Sequence, residues 1–196
     1  MKHLIDRLAT RLSGRMLALG TAVAFVGNQL ATAWLNQSQA ASKLPVPYYV
    51  AQLSFSPSQL KAWYAGMLQQ GTLDVYLRTQ HIDFLFILST LALHVIALLW
   101  LSRAFAPASR LRRWLVAAAC VSAIAPLADA CENLVCYAML AHPLDFADPL
   151  AYLYSSCSAV KFAFFVFAYA AGLAGALAAV GVRVRKLLMG AAPELV

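Results

Sequence analysis

Four apolar runs decide what this chain can become. They lie at about 16–35, 82–102, 114–140 and 150–182, and each carries few charges. A helix rising about 1.5 Å per residue needs about 20 such residues to cross roughly 30 Å of hydrocarbon. In hydrocarbon every backbone N–H and C=O must be paired within its segment, so runs like these become helices. The expectation is an all-α, polytopic membrane protein: a four-transmembrane-helix bundle in which residues 1–196 form a single membrane domain.

Composition agrees with the runs. Charged residues make up 12% of the chain and hydrophobic ones 62%, whereas a soluble domain carries about 25% charged residues. The net charge of +7 does not point to nucleic acid, because the charges form no single basic face. They cluster at the ends of the apolar runs, where they set orientation and meet anionic membrane lipids. The segment before the first run, the loop between the second and third, and the tail hold eleven Lys or Arg; the other two loops hold three, Lys43, Lys61 and Arg78. The positive-inside rule therefore predicts cytoplasmic N and C termini in a bacterial inner membrane or one of equivalent topology. Residues 1–15, with Lys2, Arg7, Arg11 and Arg15, read as a basic amphipathic segment on the cytoplasmic surface. A cleaved signal peptide is the rival reading, since Ala31-Thr32-Ala33 has the small-x-small form; the long basic region before the run opposes it.

The extracytoplasmic loop 36–80 contains a second kind of signal. Ser56-Pro57-Ser58-Gln59 offers a capping serine, a proline at the first helical position and a capping-box glutamine. The spacing predicts an amphipathic helix over 60–70 that stops near Gly71. Its stripe of Leu60, Trp63, Tyr64, Met67 and Leu68 would lie on the membrane surface or cap the bundle. Within the runs, Pro126 predicts a kink in the third. Ala168, Gly172 and Ala176, with Gly175 beside them, and Gly20, Ala24 and Asn28 predict close helix contacts.

Ionisable groups inside such runs are costly and mark a candidate site. Asp83 and His94 fall in the second run, Asp129 and Glu132 in the third, and Lys161 in the fourth. Asp129, Glu132, Asn133 and Cys136 are three, four or seven residues apart and share a helix face; so do Asp83, Ile87, Thr90 and His94, and so do Tyr154, Ser158 and Lys161. The seams are predicted to meet in the outer half of the bundle, joined by Asn28 and Gln29 from the first run. Lys161 is too deep to reach water and needs Asp129 or Glu132 as a partner in an intramembrane salt bridge. One lysine against three carboxylates leaves surplus negative charge. It must be met by a proton, by His94, His81 or Arg78, or by a cation or water. Asp83, at the expected membrane edge, reads as a solvated helix-end carboxylate.

Asp129, Glu132 and Lys161 are thus the candidate acid–base groups. Asn28, Asp83, His94, Asn133, Tyr154 and Ser158 are the candidate ligand-binding residues. No cofactor is evident and no metal spacing is present: Cys120, Cys131, Cys136 and Cys157 form no C-x-x-C and read as small buried apolar residues. His94 has no second histidine at matching depth for bis-histidine haem. Walker A, H-E-x-x-H and G-x-S-x-G motifs are absent.

Three functions from different classes follow. The first is a pocket that binds or modifies a lipid-like, hydrophobic small molecule. In outline the acidic groups within the spans resemble four-helix membrane isomerase and sterol-binding folds, a likeness of architecture that rests on no motif. The second is a non-catalytic accessory or assembly subunit, with a membrane protein partner or a homo-oligomer, in which the polar cluster only braces the bundle. The third is proton or ion transfer, weakened by the lack of an inverted repeat.

Overall fold

The structure, a computed structural model, describes residues 12–190, so the expected amphipathic segment 1–15 falls largely outside the described residues. Among the described residues seven helices follow one another: α1 (Gly14–Ala41), α2 (Tyr48–Gln52), α3 (Pro57–Gln69), α4 (Leu73–Ser102), α5 (Arg110–Ser122), α6 (Ile124–Ala141) and α7 (Asp148–Gly190). No strand occurs among the described residues. Four helical stretches are long and apolar enough to cross a membrane: Gly14–Ala41, Leu73–Ser102, Arg110–Ala141 and Asp148–Arg185. Each outlasts its apolar run. The run marks only the part that suits hydrocarbon, while the backbone ladder continues into polar residues until a cap or turn ends it.

Local chemistry explains the ends. Ser13 caps α1 by accepting from the Met16 N–H at 3.2 Å. Ser56 does the same for Gln59 at 3.4 Å, with Pro57 opening α3. Ser109 accepts from Arg112 at 3.1 Å and opens α5. At the end of α3, Gly71 takes φ +66° and the Thr72 N–H turns back to the Met67 carbonyl at 2.9 Å, a glycine-dependent helix stop. Pro126 has no N–H for the Ser122 carbonyl, and the third long stretch breaks at Ala123, between α5 and α6.

The long helices pack mainly as α1 on α4 and α6 on α7, with α5 against α4 and α7. Two apolar cores result. One holds Leu17, Val95, Leu98, Leu99, Leu115, Ala119 and Ala171. The other holds Leu60, Tyr64, Met67, Tyr76, Cys136, Met139 and Tyr154. Thus α3 turns Leu60, Tyr64 and Met67 onto the bundle, while Leu68 stays exposed. Outward faces are also apolar: Leu19, Leu30, Leu88, Val166, Leu173 and Leu177 are all more than 60% exposed. So much exposed aliphatic surface suits lipid and not water.

Two packing expectations change. Gly172 has open space around it; the buried small-residue stripe of α7 runs instead through Ala168, Ala171 and Gly175. A Cβ at Gly175 would meet Leu115 Cδ2 at 2.8 Å and Leu101 Cδ1 at 3.4 Å. In α1, Gly20 makes the close approach, 3.3 Å from Ile96 Cγ2. Of the four cysteines expected to be buried, only Cys136 is; Cys120 and Cys157 are half-buried and Cys131 is exposed.

Gly175→Leu is expected to destabilise the bundle by about 1–3 kcal/mol through overpacking. Gly172→Ala, in open space, should change stability by less than about 1 kcal/mol, in the stabilising direction. Thermal unfolding in detergent checks the contrast.

Candidate functional site

The polar residues form a layer between the two apolar cores. On α4, Asp83 lies between Tyr76 and Val95. On α6, Asp129, Glu132 and Asn133 precede Cys136. On α7, Ser158 and Lys161 lie between Tyr154 and Ala171. The three- and four-residue spacings put each set on one inward face, and all of these side chains are buried.

Lys161 is the centre of the layer. Its Nζ donates to Asp129 Oδ1 at 2.7 Å and lies 2.6 Å from Glu132 Oε2. The three side chains are 5%, 2% and 0% exposed, respectively. A lysine taken this far from water is tolerable only with such partners. Glu132 meets three donors. Besides Lys161 it accepts from Ser158 Oγ at 2.7 Å on Oε2 and from Gln52 Nε2 at 2.7 Å on Oε1. Ser158 also bonds the Tyr154 carbonyl of its own helix at 3.0 Å.

The Asp83 side of the layer is different. Asn133 Nδ2 donates to Asp83 Oδ2 at 2.7 Å, while the buried Asn133 Oδ1 has no partner. Turning the amide over would aim its oxygen at the carboxylate, so the surplus of acceptors remains unless a proton or another donor enters. Asp83 is not a solvated helix-end group as expected. It faces Asn133 across the α4–α6 contact and is only 6% exposed.

The histidines and arginine that could have met the surplus do not do so. Both His94 ring nitrogens are buried without a partner; the ring lies edge-on to Phe165 and Tyr169, at centroid distances of 5.9 and 5.3 Å. His81 Nδ1 bonds the Leu77 carbonyl of its own helix at 3.0 Å. Arg78 approaches Asp74 on the surface at 3.9 Å. Asn28 donates to Thr90 Oγ1 at 2.7 Å and Ser89 Oγ at 3.3 Å, holding α1 to α4 rather than joining the carboxylates. Gln29, expected inside, is exposed. Tyr154 is fully buried with its hydroxyl unpartnered. Among the described residues no group of three or more His, Cys, Asp or Glu is placed to hold a metal ion.

The roof of the layer comes from residues that the sequence pattern did not single out. The short helix α2 sends Gln52 to Glu132 and joins Tyr48 to Gln80 by a hydrogen bond. The Phe55 N–H adds a third tie, to Ser155 Oγ at 3.1 Å. Tyr48 and Tyr64 lie 5.8 and 5.7 Å from the Tyr76 ring. Burial first, then the nearby Cys136 thiol and Asp83, hold the Tyr48 phenol well above its usual range, against the Gln80 hydrogen bond. Burial, followed by Cys136, does the same for Tyr64. Both hydroxyls therefore stay neutral over the ordinary pH range. Lys43 and Phe55, at either side of the roof, adopt left-handed backbone with φ 54° and 48°, a conformation costly for residues with a Cβ.

The chain matches no family model, no curated protein and no solved structure.

Lys161→Met, which leaves two carboxylates buried without their cation, should cost about 3–5 kcal/mol. Adding Glu132→Gln should restore a large part of that loss. A double-mutant cycle by chemical or thermal unfolding in detergent measures the coupling.

Proposed function

We propose that this protein crosses a bilayer four times, with both ends in the cytoplasm of a bacterial inner membrane or its equivalent and with α2 and α3 as an extracytoplasmic cap. Its polar layer then lies within the membrane and divides into two parts. Asp129, Glu132 and Lys161 tie α6 to α7. Asp83 and Asn133 bind the polar end of a lipid-like molecule.

The surplus of acceptors carries this reading. Lys161 is already shared between two carboxylates, and Glu132 already accepts three donors. Neither is free for acid–base work without first losing a partner. Asp83 has the Asn133 amide as its one described donor, and Asn133 Oδ1 has none among the described residues. A ligand suited to them presents a hydroxyl or an amine on an apolar body, not an anion. Asp83 accepts most strongly from a charged donor. Aromatic rings are near it: Tyr137, one turn along α6 from Asn133, lies 6.4 Å from the ring of Phe84 and 5.1 Å from that of His81. Apolar walls with a few convergent polar groups are the usual form of a small-molecule site.

The closed Lys161 triad favours a second reading, an accessory subunit in which the whole layer serves packing alone. Lipid extracted from the detergent-purified protein and identified by mass spectrometry decides between them. An amphiphile with a hydroxyl or amine group should be enriched with the natural chain. Asp83→Asn should lower it by about tenfold with little change in unfolding temperature. Identical lipid profiles for the two proteins would favour the accessory reading.

A further inference from the structure

The opposite end of the bundle carries a groove unrelated to the Lys161 layer. It has a volume of about 650 Å³ and lies between the end of α4 and the last turns of α7. Ala104, Ala176 and Ala179 line it together with Trp100, and Arg103 and Arg183 are the two cations along it. Small alanines leave the space that larger side chains would fill. Trp100 is 43% exposed, as suits an aromatic ring at a membrane–water boundary.

The two arginines keep donors to spare. Neither has a carboxylate partner among the described residues. Arg103 gives Nη2 to the Leu12 carbonyl at 2.6 Å, which fixes the guanidinium, while its Nε–H is buried and has no partner. A buried N–H that has no partner among the described residues, on a fixed cation, is costly unless something accepts from it. The carbonyls of the α4 end would repel an anion. Those of Trp100 and Leu101 are already turned onto the Arg103 and Ala104 N–H groups.

We infer that this groove binds one anionic phospholipid, with its phosphate at Arg103 and Arg183 and an acyl chain along the alanine floor. Guanidinium groups suit phosphate oxygens in geometry as well as in charge. The apolar length of the groove selects a lipid over a free anion. The concentration of basic residues at this end supplies the matching field. The inference rests on the membrane-crossing reading but needs no role for Asp83 or Lys161.

The test uses the full chain in non-ionic detergent and native mass spectrometry. Phosphatidylglycerol and phosphatidylcholine with the same acyl chains are titrated in parallel, with inorganic phosphate as competitor. Phosphatidylglycerol should be retained about tenfold more strongly than phosphatidylcholine, and phosphate should not displace it. Arg183→Gln should lower that retention by about tenfold without changing the unfolding temperature. Arg103→Gln should lower it too. Because Arg103 also holds Leu12, the decision falls to Arg183, whose side chain makes no described bond. Equal retention of the two lipids, displacement by phosphate, or unchanged retention in Arg183→Gln would overturn the inference. Asp83→Asn should leave phosphatidylglycerol retention intact, which separates this site from the one at Asp83.

Discussion

The fold depends on a lysine that cannot be left alone. Lys161 sits in the first third of α7 with apolar cores on either side of it, and its charge is met by two carboxylates on α6. Such a pair does not add stability by its mere presence, because desolvation offsets much of the attraction. Its effect is on specificity. Rotating or sliding α7 against α6 would strand an ammonium and two carboxylates away from each other, so one register is strongly preferred. Apolar packing between helices in lipid discriminates far less, since acyl chains compete for the same surfaces.

The same layer also fixes the segment above it. Gln52 gives Glu132 Oε1 its only described donor, and two further hydrogen bonds hold α2 down at Tyr48 and Phe55. The last of these ties holds Phe55 in its left-handed conformation. Asymmetry follows from the chemistry. The Lys161 side is complete, whereas the Asp83 side holds more acceptors than donors. A polar network inside a low-dielectric interior is favourable when fully satisfied and costly when it is not. The incomplete side is therefore where a ligand has most to contribute.

Much of this was legible in the chain. Apolar length gave the four long helices, and the Ser56 and Pro57 signal gave α3. The spacing of Asp129, Glu132 and Asn133 against Lys161 identified the central contact, since a deep lysine leaves few alternatives. What could not be read has physical causes. Asp83 looked like an edge residue because the apolar run starts near Ile82, but it faces Asn133 of α6 and is buried there. His94 shares a helical face with Asp83, yet neighbouring aromatic rings enclose it. Helical phase gives direction and not the identity of the neighbour. Asn28 was placed at the right depth, but Thr90 lay nearer than any carboxylate. Gln52 and Tyr48 come from a short loop helix with no periodic pattern, and only the folded chain brings them over Glu132. Among the small residues of α7, Gly172 and Gly175 are equivalent in composition; only the partner surfaces of Leu115 and Leu101 separate them.

The measurement that bears most directly on the central contact is solid-state NMR of the ¹⁵N,¹³C-labelled protein in lipid bilayers. Dipolar correlations from Lys161 Nζ to the carboxyl carbons of both Asp129 and Glu132 are expected. A Lys161 Nζ that correlates instead with lipid phosphate or bulk water, with no carboxyl carbon nearby, would contradict the account.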